Sequence, residues 1–216
     1  MKVFALPEKK TNQALFFDMD STLYTNNEYA QSQIDLPVKR LAKLQGKTFD
    51  DMSCEIAMFR KKWAADHDGK TISLSNIFLS YGISMADNIR WREELCRPED
   101  YLVKDIQLRS VLHQLASRYV LAVVTNNPVS VAIRTLSVLD VYDIMQKIVG
   151  LDTCNVSKPD RAVFLKAAQL CDVPVQQCIS VGDRYDIDIS VPLELGMGGI
   201  LVNGVEDVYK IPGILM

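Results

Sequence analysis

The chain has 216 residues, with 24 Lys and Arg against 27 Asp and Glu and a formal net charge of −3. Hydrophobic residues make up 48% and charged residues 24%, which is globular composition and excludes a fibrous repeat or long disorder. A nearly balanced charge argues against a dedicated binder of nucleic-acid polymer, and two histidines, His67 and His113, leave little room for a His-rich metal centre or a Ser-His-Asp hydrolase.

The five cysteines, Cys54, Cys96, Cys154, Cys171 and Cys178, are odd in number and show no CxxC spacing. Reduced thiols in a cytosolic protein are expected, with neither a disulfide framework nor structural zinc. No apolar run approaches the roughly 18 residues needed to span a bilayer. The N-terminal MKVFALPEKK turns polar too early for a signal peptide. The sequence thus reads as a soluble, cytoplasmic protein without a membrane partner.

In chain order, residues 14–17 form a short apolar run that ends at Asp18. Residues 25–103 then contain no convincing strand. Helical periodicity covers about 27–44, 50–65, 73–81 and 86–96, broken at Gly46, at His67-Asp68-Gly69 and at Gly82. Apolar, β-branched 119–125 predicts a strand covered on both faces, with further strands at 147–149, 178–181 and 199–202. Between them, Leu108/Val111/Leu112/Leu115, Val129/Ala132/Ile133/Leu136 and Phe164/Ala167/Ala168/Cys171 each form one apolar helical stripe. Strand–helix alternation predicts an α/β fold, a Rossmann-like parallel sheet flanked by helices. The expected division is a core of 1–24 and 104–216 with an inserted helical cap at 25–103. Ligands of such sheets bind beyond the carboxyl ends of the strands, so the strand ends are the places to search.

Four strand-end stretches stand out. LFFDMDSTLY places Asp18 and Asp20 two apart, directly after the first strand. A bare DxD is often only a turn, but the flanking strand and the Ser21-Thr22 continuation favour chemistry. Thr125-Asn126-Asn127 ends the second strand before a helix, where a hydroxyl and free backbone amides can hold a phosphoryl oxygen or simply cap the helix. Lys158 precedes another helix. ISVGDRYDIDIS then clusters Asp183, Asp186 and Asp188 after Gly182, and such crowding of like charge calls for a cation. Mg²⁺, which prefers oxygen ligands, is the natural one.

Together and in this order, the four stretches resemble the haloacid dehalogenase-like hydrolase superfamily over the whole core. The FFDMDSTLY start and the long helical insertion are similar to its pyrimidine-5′-nucleotidase-like phosphatases. The resemblance implies a Mg²⁺-dependent phosphatase of a small phosphorylated metabolite, a nucleoside monophosphate among the options, acting through an aspartyl-phosphate. Asp18 would be the nucleophile and Asp20 the general acid and base. Thr125, the Asn126 amide and Lys158 would bind the phosphoryl group. Asp18, the Asp20 carbonyl, Asp183 and Asp188 would form the metal site, with Asp186 competing for the place of Asp188. A phosphomutase, or a non-catalytic binding module on the same fold, is the alternative. Arg184, where the family often has Ser, is read as surface variation. Arg60-Lys61-Lys62 is read as a solvated face, Trp63 as core, His67 as a loop residue and His113 as surface.

Overall fold

The computed structural model describes residues 1–8 and 12–216; Lys9 and Lys10, which contribute to the polar N-terminal stretch, lie outside the described residues. Six strands form one sheet: β1 (Lys2–Val3), β2 (Ala14–Phe17), β3 (Val120–Val124), β4 (Lys147–Val149), β5 (Cys178–Gly182) and β6 (Gly198–Leu201). Their spatial order is β1-β6-β5-β2-β3-β4. All neighbours run parallel except β1, which pairs antiparallel with β6. β1 is a two-residue, exposed edge strand without an apolar pattern to mark it in the sequence.

The helices in chain order are α1 (Asn27–Leu44), α2 (Phe49–Asp66), α3 (Leu74–Ser80), α4 (Met85–Leu95), α5 (Ile106–Ala116), α6 (Val129–Val138), α7 (Leu151–Cys154), α8 (Arg161–Cys171), α9 (Ser190–Glu194), α10 (Val205–Val208) and α11 (Pro212–Leu215). Side-chain caps start each of the first four. Asn26, Thr48, Ser73 and Ser84 each accept a hydrogen bond from a backbone N–H of the first turn, satisfying a donor that helix geometry leaves open. Among the described residues, no helix is long and apolar enough to cross a membrane.

The period of two along the central strands sends side chains to two separate cores. Leu15, Phe17, Leu121, Val123, Ile179 and Val181 face a cluster closed by α5, α6 and the C-terminal helices. Ala14, Phe16, Ala122, Val124 and Cys178 face the opposite cluster, closed chiefly by α8 through Val163, Phe164, Ala167 and Ala168. The stripe of α8 is buried as its spacing predicts, and so is that of α5 apart from the half-buried Val111. That of α6 is rotated: Val131, Ala132, Thr135 and Leu136 are buried, while Val129 and Ile133 lie at its margins.

Helices α1–α4 build a third cluster of their own, from Leu41, Met52, Ile56, Ile77, Phe78 and Trp91. They sit against the carboxyl edge of the sheet. Ser73 Oγ lies 2.9 Å from Ser157 Oγ, and Ser130 Oγ donates to Glu93 at 2.7 Å. Tyr29 stacks on Tyr101, with ring centroids 5.3 Å apart. Trp63 departs from the core reading. It is half-buried and stacks on His67, the residue that ends α2, with centroids 3.7 Å apart.

Phe164 is 1% exposed at the centre of the α8 contact. Phe164→Ala is expected to cost about 3–5 kcal/mol, through lost transfer energy and the cavity left behind. Urea unfolding followed by circular dichroism measures it.

Candidate active site

β2 is the middle of the sheet, and the chain runs outward from it on one side through β3 and β4 before returning on the other through β5 and β6. The crevice between β2 and β5 is therefore the point where strand order reverses, and there the connecting loops leave in opposite directions. Asp18 follows β2 and donates its backbone N–H to Val181 O at 2.8 Å, which locks the end of β2 to that of β5. Thr125 follows β3, and its N–H bonds Val149 O at 2.9 Å. Lys158 lies in the loop before α8. Asp183 and Asp188 follow β5, Asp188 within a π-helical turn at Tyr185–Ile189.

Lys158 Nζ donates to Asp18 Oδ1 at 2.8 Å and to Asp188 Oδ1 at 2.6 Å. The lysine and Asp188 are each 1% exposed and Asp18 is 4% exposed, so this is a buried ion triad. Burial alone would lower the Lys158 pKa, but the two carboxylates beside it reverse the effect and the net shift is upward. The side chain of Asn126 accepts the Lys158 N–H at 2.7 Å and donates to the Lys158 carbonyl at 3.2 Å, tying the lysine backbone to the β3 loop. That leaves the Asn126 side chain occupied with Lys158. Thr125 is 1% exposed, and its Oγ1 accepts from Asn127 N–H at 3.2 Å.

Asp18, Asp183 and Asp188 each present a carboxylate oxygen within 4.8 Å of the others. Asp18 Oδ2 and Asp183 Oδ1 are buried without a hydrogen-bond partner. Burial, then Asp18 and Asp188, push the Asp183 pKa up to about 7. Crowded carboxylates with orphaned oxygens form an oxygen-only donor set, which fits a hard divalent cation such as Mg²⁺. Asp188 is within this group and Asp186 is outside it.

Gly182 matters here through closeness rather than turn geometry. A Cβ on it would lie 2.4 Å from Asp188 Cβ, so only glycine lets the Asp188 side chain reach Lys158. Ser180 Oγ reinforces the placement by donating to the Asp188 carbonyl at 2.7 Å.

Asp20 belongs to a different network, which the sequence did not reveal. Its Oδ1 accepts from Tyr24 OH and, at 2.9 Å, from Gln33 Nε2; its Oδ2 accepts from Asn127 Nδ2 at 2.9 Å. Asn127 also donates to Gln33 Oε1 at 2.8 Å and accepts from Arg92 at 2.9 Å. Gln33 stands on α1 and Arg92 on α4, so two inserted helices help to position Asp20. Burial first, then Asp18, raise the Asp20 pKa. Ser21, in the left-handed region at φ 57°, turns the chain just after it.

Asp20, Asp183, Asn126 and Asn127 line a cleft of about 250 Å³ between the helices and the sheet edge. Arg60 and Arg184 line it too, and both are exposed, as the reading of each as a surface residue has it.

A family model described as haloacid dehalogenase-like hydrolase matches residues 13–196. The chain belongs to the haloacid dehalogenase-like hydrolases. It is 39% identical over 56 residues to the haloacid dehalogenase-like hydrolase domain-containing protein 3 of Danio rerio, a match spanning 26% of this chain and 23% of that relative's length. This hydrolase also shares its fold with an HAD phosphatase from Thermococcus onnurineus, at TM-score 0.62 and 19% identity over 94% of this chain and 97% of the other. The YfnB protein of Bacillus subtilis, a putative HAD-hydrolase bound to magnesium, superposes at TM-score 0.58 and 17% identity, over 94% of this chain and 100% of the other.

In this hydrolase, Gly182→Ala is expected to displace Asp188 and cost about 1–3 kcal/mol of stability, as over-packing of a dense interior does. Chemical denaturation of the two proteins side by side measures the loss. A Gly182→Ala protein of unchanged stability would refute the close-approach argument.

Proposed function

We propose that this hydrolase is a Mg²⁺-dependent phosphatase of small phosphate monoesters that works through an aspartyl-phosphate on Asp18. The observation that carries this reading is the Asp18–Lys158–Asp188 triad with its orphaned Asp18 oxygen, next to a separately held second acid, Asp20.

The chemistry needs an anionic nucleophile to meet an anionic phosphoryl group. Lys158 offsets that repulsion and orients the Asp18 carboxylate. Asp18, Asp183, Asp188 and the Asp20 carbonyl would hold Mg²⁺, which when bound supplies further charge neutralisation at the phosphoryl oxygens. The Thr125 hydroxyl and the Asn126 backbone amide would hold those oxygens. A carboxylate oxygen of Asp18 attacks phosphorus, and the bond from phosphorus to the ester oxygen breaks. Asp20 delivers a proton to that oxygen as the alcohol leaves. Asp20 then takes a proton from water as the water attacks the phosphoryl-aspartate, which releases phosphate and restores Asp18. The upward shift at Asp20 suits a group that must carry a proton between these two steps.

Residues 25–103 act in this reading as a cap domain over a core of 1–24 and 104–216. Asp18 is 4% exposed, so the cap opens to admit substrate and closes to keep bulk water from the reacting groups. No aromatic ring lines the cleft among the described residues, so a nucleoside monophosphate would bind without a stacking partner for its base. A phosphomutase would use the same two acids. Continuous release of inorganic phosphate from a monoester separates the phosphatase from the mutase, and from a binding module.

Asp18→Asn is expected to lower kcat for aryl phosphate hydrolysis by about 10⁴-fold or more with the fold intact. Asp20→Asn should lose about 10²–10⁴-fold, most of all with poor leaving groups. Near-normal rates in Asp18→Asn would overturn the mechanism. Mg²⁺ at 100 times its Kd should stabilise the protein by about 2.7 kcal/mol, read as a rise in melting temperature that Asp183→Asn diminishes.

A further inference from the structure

The catalytic scheme brings no guanidinium group to the substrate, although three stand in the cleft and one of them, Arg92, also holds Asn127 beside Asp20. Arg60 on α2, Arg92 on α4 and Arg184 after β5 line the same cavity as Asp20 and Asp183. Arginine stays charged in proteins, so each brings a permanent positive charge. Arg92 is 8% exposed, and its Nε is buried without a hydrogen-bond partner. Its described hydrogen bond goes to Asn127, a neutral amide, and no described carboxylate lies within ion-pair distance of it. A buried charge held this way is costly unless something anionic arrives to meet it. Arg60 has no carboxylate within ion-pair distance among the described residues either, and it feels the repulsion of Arg184. Arg184 is the least free of the three: it pairs with Asp183 at 3.8 Å, too far for a hydrogen bond, and Asp188, Asp18 and Asp20 also act on it.

These arginines are distinct from the groups assigned to the transferring phosphoryl. Thr125, Asn126 and Lys158 come from the loops after β3 and β4, whereas Arg60 and Arg92 come from the inserted helices. Ile34, Ile72 and Leu74 line the same cleft and offer apolar contact to a short carbon chain. Guanidinium forks match the paired oxygens of carboxylates and phosphates.

We propose that Arg60, Arg92 and Arg184 form a receiving site for a second anionic group on the substrate, a carboxylate or a second phosphate joined to the scissile phosphate by a short aliphatic chain. This specificity rests on the phosphatase reading of the Asp18 site. The cleft of about 250 Å³ sets the size, and Arg60 and Arg92, which lack an ion-pair partner among the described residues, favour an anionic far end over a neutral one.

The test is a series of ω-carboxyalkyl phosphates of two to five carbons, each assayed with Mg²⁺ beside its neutral terminal amide, and a parallel series of alkanediol bisphosphates. At the best chain length, kcat/KM for the carboxylate-ended substrate should exceed that for the amide by about tenfold or more, as expected for hydrogen bonds to a charged group. Arg60→Met should narrow that ratio at least fivefold, while Arg60→Lys, which keeps the charge, should retain most of it. Arg92→Met, checked for folding by its melting temperature, should narrow it as well. The relative rates of the carboxylate and bisphosphate series identify which anion the site takes. Equal turnover of acid, bisphosphate and amide at every length would overturn the receiving site and leave the phosphatase reading standing. So would a preference untouched by both methionine variants. Failure of the wild-type protein to release phosphate from any member would overturn the phosphatase reading and this inference with it.

Discussion

The constraint on which the rest of the structure depends is the burial of one lysine between two carboxylates. Lys158 reaches Asp18 and Asp188 in a space from which water is almost wholly excluded. An ion triad of this kind tolerates little displacement, because removing one partner leaves an uncompensated buried charge, at a cost of about 3–5 kcal/mol. Much nearby geometry serves it. Gly182 keeps the space beside Asp188 empty, Ser180 holds the Asp188 backbone, and Asn126 clasps the Lys158 backbone from the β3 loop.

The parallel sheet makes this burial possible. Its central strands end side by side, and the order reversal at β2 opens the crevice into which four loops deliver their side chains. Both faces are covered, so the strands are apolar on both sides and the charged groups are displaced to the ends. The acids at those ends exceed what Lys158 alone can neutralise, and Asp18 and Asp183 keep orphaned oxygens. The site is thus built with an electrostatic deficit that a divalent cation would fill, and the proposed chemistry needs that charge.

The inserted helices have a different part. They share an apolar cluster of their own, and they meet the rest of the chain both through polar pairs such as Ser73 with Ser157 and through Tyr29 of α1, which is fully buried in the core on one face of the sheet. Gln33 and Arg92 reach from these helices to Asp20 and Asn127, so the seat of the helices and the orientation of the second acid are linked. In the proposed enzyme, an open cap would leave Asp20 less firmly held, and closure would complete the site.

By itself, the sequence determined the sheet and the strand-end acids. Apolar runs at 14–17, 119–125 and 178–181 and the stripes of α5 and α8 are local patterns, and secondary structure of this sort follows from period alone. Asp18, Asp20, Thr125, Asp183 and Asp188 drew notice because they follow such runs, whereas Lys158, in a loop before α8, stood out only through the family resemblance. Only the tertiary structure puts Asp188, and not Asp186, beside Lys158, because that turns on which side chain the π-helical turn aims at the lysine. It alone brought Gln33, Arg92 and Asn127 to Asp20, and Arg60 and Arg184 into one cleft. Those residues lie far apart in the chain and carry no local signal. A helix-surface arginine that meets water and one that meets a ligand have the same neighbours in sequence, and they differ only in what the fold places in front of them.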